Sequence, residues 1–87
     1  MTKQNNKPTE TIRDGALKAT IWKNQTENGT FYSVDLGRTY QDEQGNYHDA
    51  HSFSGSELLR IARLSGRAYD AIAELRAAER EEAPVEA

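Results

Sequence analysis

Two groups of side chains in this 87-residue chain have residue types that could do chemistry. The first is polar. His48 and His51 bracket Asp49, which suggests a metal site at first sight. On a strand, however, residues three apart point to opposite faces, so the two imidazoles cannot share one ion. Ser52, Ser54 and Ser56 sit where a strand ends and a helix begins, and a cap explains them better than a nucleophile does. Asp42, Glu43 and Asp49 are turn and strand carboxylates with no desolvated partner to separate their acidities. The glycines are scattered and form no phosphate loop. The chain reads as a non-enzyme with no metal site and no cofactor.

The second group is aromatic and cationic. Trp22 and Phe31 have the parity of the polar side of their segments, with Lys18 beside them and Lys23 in the adjacent loop. Arg38 and Tyr40 lie farther along. Aromatics and cations on an open sheet form a stacking platform for unpaired bases. Lys18, Trp22, Lys23, Phe31, Arg38 and Tyr40 are therefore the candidate nucleic-acid-binding residues. Exposed aromatics also serve protein contacts, so an interaction surface is the competing use.

The elements that must hold these residues are legible as alternation and periodicity. Over Ala16–Lys23, Leu17, Ala19 and Ile21 alternate with Lys18, Thr20 and Trp22; over Thr30–Tyr40, Tyr32, Val34 and Leu36 alternate with polar residues. The run Asn24–Gly29 is turn-forming. An antiparallel register pairing Leu17 with Leu36, Ala19 with Val34 and Ile21 with Tyr32 also pairs Lys18 with Asp35, Thr20 with Ser33 and Trp22 with Phe31. Asp42-Glu43-Gln44-Gly45 has the chemistry of a type I turn followed by a left-handed residue, leading into a third strand over Asn46–Phe53. Ser54-Gly55-Ser56-Glu57 is a capping box. The helix it opens runs to about Arg80, with Leu58, Ile61, Ala62, Ala68, Tyr69, Ile72 and Leu75 as its apolar stripe. Gly66 lies mid-helix, where a kink or a close neighbour is expected.

The fold class is thus α+β: a three-stranded antiparallel meander followed by one long C-terminal helix. Residues 1–13 read as a flexible polar lead, 14–80 as one β-β-β-α domain, and 81–87 as an acidic tail. So small a core predicts a homodimer, joined by helix pairing or sheet edges. The absence of cysteine excludes a disulfide framework, thiolate metal ligation and a cysteine nucleophile. No apolar run reaches membrane-spanning length and the N-terminus lacks a signal-like stretch, which predicts a soluble cytoplasmic protein without membrane contact. The net charge is -3. Met1–Tyr40 carries six cations and four carboxylates, whereas Gln41–Ala87 carries five and ten, so any nucleic-acid contact must be local or helped by stacking.

The order of elements and the turn chemistry resemble the positive cofactor four family of transcriptional coactivators, which bind single-stranded DNA. The resemblance spans roughly Lys18–Ile72. It rests on Val34-Asp35-Leu36 leading to Arg38-Thr39-Tyr40, on the turn Asp42-Glu43-Gln44-Gly45, and on a short strand ending at Ser54-Gly55-Ser56-Glu57, where the helix starts. It implies dimerisation through the helix, DNA held on curved sheets, and Arg38 and Tyr40 as the basic and aromatic end of the second strand. Lys18 and Trp22 match in strand position. It also implies a fourth strand, for which only Thr9–Asp14 is available.

The resulting expectation is a single-stranded nucleic-acid-binding module acting through its sheet, in transcription or DNA maintenance. The alternative is a protein-interaction or assembly subunit, whose helix contacts a partner through Arg60, Arg63 and Arg67.

Overall fold

The computed structural model describes residues 3–4 and 7–82. One antiparallel sheet is followed by one helix, as the alternation and capping signals predict. The strands are β1 (Lys3–Gln4), β2 (Glu10–Asp14), β3 (Leu17–Thr26), β4 (Gly29–Gln41) and β5 (Tyr47–Ala50). A single turn of 3-10 helix, Gly55–Glu57, leads into α1 (Leu58–Glu82). Strands β3, β4 and β5 form the meander, while β1 and β2 share the other edge of β3, against Asn24–Gln25 and Leu17–Ile21 respectively.

The folded unit therefore starts before residue 14. Glu10–Asp14 is a paired strand and Ile12 is buried in the core, so this part of the expected lead is structured. Asp14 and Leu17 pair around a two-residue turn in which Gly15 takes φ +61°. A positive φ at the first central position alone is what a type II′ hairpin turn requires, and glycine adopts it without a Cβ clash. At the other end the helix continues through Glu81 and Glu82, so the expected acidic tail begins later than residue 81. Pro84 and its neighbours lie outside the described residues.

The β3–β4 register differs from expectation by two residues. Ala19 pairs with Leu36, Ile21 with Val34, Thr20 with Asp35 and Trp22 with Ser33. The cause is the turn. Residues 24–26 stay in β3, and only Glu27 and Asn28 separate Thr26 from its partner Gly29. The Thr26 hydroxyl donates to the Gly29 carbonyl at 3.0 Å and accepts from the Asn28 N–H at 3.2 Å, closing the turn locally. Because a side chain alternates with period two, a slip of two keeps every residue on its expected face. β5 is shorter than the Asn46–Phe53 segment expected, ending at Ala50. Its turn is as expected: Gly45 takes φ +88°, and Asp42 Oδ1 accepts from the N–H groups of Gln44 and Asn46, each at 2.9 Å.

The core lies between one sheet face and α1. Ile12, Leu17, Ala19 and Ile21 cluster with Ile61, Leu64 and Ala68, and Val34, Leu36, Phe53, Ile72 and Leu75 pack around them. The buried helix stripe is rotated from the expected one. Leu64 is fully buried, whereas Leu58, Ala62 and Tyr69 are exposed. At the start of the helix the Ser54 N–H donates to Glu57 Oε1 at 2.9 Å, as a capping box requires. Gly66 neither breaks the helix nor has a close neighbour; a Cβ there would meet open space. Gly66→Ala should therefore stabilise the fold by about 0.5–1 kcal/mol by lowering unfolded-chain entropy, read as a higher denaturation midpoint at unchanged slope.

Candidate nucleic-acid interface

Strand parity divides the predicted site residues between two faces. Leu17, Ala19 and Ile21 point toward α1, so Lys18, Thr20 and Trp22 point away from it. Phe31, Ser33, Asp35, Gly37 and Thr39 share this outer face on β4, with Thr11 and Arg13 on β2 and Tyr47 and Asp49 on β5. Of the six candidates, Lys18, Trp22 and Phe31 are brought together here. Phe31 is 46% exposed, and Trp22 is half-buried without joining the apolar cluster on the other side.

Lys23, Arg38 and Tyr40 are not part of that surface, because their parity is that of the core. Lys23 lies within β3, not in a loop, and its Nζ is 3.1 Å from Glu79 Oε1 on α1. Tyr32 also donates its hydroxyl to the Glu79 carboxylate. Burial, reinforced by that carboxylate, pushes the Tyr32 phenol up to about 12, and the Tyr32 and Lys23 bonds hold Glu79 below its ordinary value. Arg38 and Tyr40 occupy a corner beside the helix start. The Arg38 guanidinium lies 5.5 Å from the Tyr40 ring centre, its Nε is 3.6 Å from Glu57 Oε1, and Tyr40 stacks on His48 with ring centres 5.4 Å apart. His48 Nε2 is 2.7 Å from Asp42 Oδ2, a bond that, with backbone N–H donors, lowers the Asp42 carboxyl below its usual range.

The outer face is balanced in charge, with Arg13 and Lys18 against Asp35 and Asp49. The Lys18 ammonium is 3.1 Å from Asp49 Oδ2, and Thr39 Oγ1 donates to Asp49 Oδ1 at 3.1 Å; both bonds depress the Asp49 carboxyl. Trp22 Nε1 donates to Asp35 Oδ2 at 3.1 Å, fixing the indole plane. Arg13 makes no ion pair among the described residues. Asn24 has the same parity but is only 3% exposed, with Nδ2 satisfied by Ser33 Oγ at 3.0 Å. His51 also reaches this face: its Nδ1 is 2.7 Å from the Leu36 carbonyl, which can only accept, so Nδ1 carries the proton. His48 and His51 thus lie apart, and no cluster of metal-ligating side chains occurs among the described residues.

Two residues of the outer face were absent from the sequence-based set. Arg13 was absent because Thr9–Asp14 entered only as the fourth strand that the resemblance implies, although Asp14-Gly15 is a strong hairpin signal. Tyr47, 73% exposed, lies across from Gln41 on the same face. The helix arginines also differ from expectation. Arg60 clamps α1 to β2, with Nη2 3.0 Å from Asp14 Oδ1 and Nε 3.2 Å from Oδ2, a two-pronged bond that lowers the Asp14 carboxyl. Arg60 is therefore committed within the fold, whereas Arg63 and Arg67 have no ion pair among the described residues.

Comparison with protein-family models, with curated proteins and with solved structures finds no match to this chain. No helix among the described residues is long and apolar enough to cross a membrane.

The Tyr32–Glu79–Lys23 cluster has a pH signature of known sign. The folded state holds the Tyr32 proton more tightly than the unfolded chain does, so the stability this supplies is complete below about pH 10 and lost as pH rises toward 12. Thermal midpoints should fall across that window, and Tyr32→Phe should flatten the fall; an equal fall in the variant would contradict this origin.

Proposed function

We propose that the chain is a non-enzymatic module that binds single-stranded nucleic acid on its outer sheet face. The reading is carried by one observation: Trp22 and Phe31 stand on the face that α1 leaves bare, flanked by the cations of Arg13 and Lys18. An aromatic ring stacks on any base, and such stacking contributes about 1–3 kcal/mol per base. Tyr47 extends the platform toward the far end of the sheet. The span from Phe31 to the Gln41–Tyr47 pair is ten residues of β4, about 33 Å at the rise of a strand. Bases stack in the middle of this face, while Arg13 and Lys18 steady the backbone. The resemblance to the positive cofactor four family supports nucleic-acid binding and a role in transcription or DNA maintenance, but the two residues it implies, Arg38 and Tyr40, lie on the helix side, so the proposed binding set is Arg13, Lys18, Trp22, Phe31 and Tyr47.

Charge balance makes the interaction stacking-led. With two cations on the face, the slope of log affinity against log salt should be about -1.4 or shallower for a single strand. Oligonucleotide should quench Trp22 fluorescence, and Trp22→Ala should weaken binding, read by anisotropy of labelled strand, by about 1–3 kcal/mol. Lys23→Ala should leave affinity unchanged. No quenching at low salt, or a loss in Lys23→Ala equal to that in Lys18→Ala, would refute this assignment.

A homodimer is the assembly that best accounts for the other side of the molecule. α1 covers β2 and β3 and leaves a groove of about 210 Å3 against β4, lined by Val34, Leu36, Ser65, Ala68, Tyr69 and Ile72. Leu58 and Tyr69, 56% and 76% exposed, stand on this flank. A second α1, antiparallel about a two-fold axis, places the same apolar flank in both grooves. Light scattering at micromolar concentration should give twice the chain mass, and Tyr69→Glu should return it to one; a monomeric parent protein would contradict the pairing. The interaction-subunit alternative keeps Arg63 and Arg67 as its exposed cations.

A further inference from the structure

A hollow of about 200 Å3 opens on the outer face, with the bare backbone of Gly37 as its floor and Lys18, Trp22, Asp35, Asp49 and His51 around it. It is smaller than the roughly 300–1,000 Å3 of sites that take drug-sized ligands, so its occupant is a single ring system or side-chain head. Its unspent bonding capacity is one-sided. The Trp22 N–H is already given to Asp35. The His51 Nδ1 proton is given to the Leu36 carbonyl. Asp35 has one carboxylate oxygen with no partner among the described residues, and each Asp49 oxygen accepts a single bond and has a second lone pair. The donors left are those of Lys18, whose ammonium has three protons and spends one on Asp49, and the hydroxyl of Thr20, which also lines the hollow.

Two carboxylates against one ammonium exclude a phosphate and select a ligand rich in N–H groups. We propose that this hollow reads guanine, a specificity that rests on the nucleic-acid function assigned above. Among the four bases, guanine alone presents two donors side by side on its Watson–Crick edge, N1–H and the N2 amino group, next to an O6 acceptor. With guanine stacked on the Trp22 indole, N1–H and the N2 amine are donors of the kind the unspent oxygens of Asp35 and Asp49 accept, and O6 is an acceptor of the kind Lys18 serves. Adenine, cytosine and thymine each carry at least one acceptor on that edge where guanine carries a donor, and a carboxylate gives an acceptor no proton.

The test replaces one amino group. Trp22 quenching is titrated with an oligothymidine, the same strand carrying one central deoxyguanosine, and the same strand carrying deoxyinosine, which lacks only the N2 amine. The guanine strand should bind at least about fivefold more tightly than either. Asp35→Asn should abolish that preference. Gly37→Ala, whose added Cβ meets only ordinary contacts of 3.5 Å and beyond, should reduce the preference by narrowing the hollow while leaving oligothymidine affinity intact. Equal quenching by all three strands overturns guanine reading and leaves the stacking function standing. No quenching by any strand overturns both. A response to N-acetylarginine amide without a response to the strands overturns the assignment in favour of a guanidinium ligand.

Discussion

The packing of Leu17, Ala19 and Ile21 into one cluster with Ile61, Leu64 and Ala68 sets the orientation of every other side chain on the sheet. A strand has two faces, and once one face of β3 is committed to the helix the other is committed to solvent. A shift of β3 by a single residue would bury Lys18, Thr20 and Trp22 and expose three core residues at once, so this phase is strongly fixed. The interface proposed for nucleic acid is therefore a consequence of how the core packs.

Ion pairs then divide the cations by role. Lys23 and Arg60 tie α1 to the sheet through Glu79 and Asp14, while Arg38 ties the β4–β5 corner to the start of the helix through Glu57. Such exposed pairs each contribute little stability, but they hold long side chains in place and withdraw them from ligand contact. Lys18 differs because its carboxylate partner, Asp49, lies on the same bare face. The pair stays within reach of anything that docks on Trp22, and the face as a whole keeps no excess charge.

Most of the architecture was readable from alternation and caps, because both are local and repeat along the chain. Leu17, Ala19 and Ile21 marked β3, Val34 and Leu36 marked β4, and Ser54 with Glu57 marked the helix start. The register was misjudged because a six-residue turn-forming run folded as a two-residue turn, with Asn24 and Gln25 drawn into the strand. β2 was underestimated since Ile12 is its one large apolar residue, although Asp14-Gly15 marks its end. The candidate site was half legible. Trp22, Phe31 and Lys18 follow from parity, and the same parity places Arg38 and Tyr40 with Val34 and Leu36, on the core side. Composition grouped what the pleat separates. The rotation of the helix stripe, with Leu64 in and Tyr69 out, depends on where α1 crosses the sheet, which periodicity alone does not encode.

The most direct test of the account is a map of backbone amide and side-chain NMR shifts on adding single-stranded DNA. The account predicts perturbations at the Trp22 indole N–H and at the amides around Arg13, Lys18, Phe31 and Asp35, with the Lys23–Glu79 contact and the Arg38–Tyr40 corner unmoved. Shifts concentrated at Arg38, Tyr40 and His48, with the Trp22 indole unchanged, would contradict it and move the interface to the helix side of the sheet.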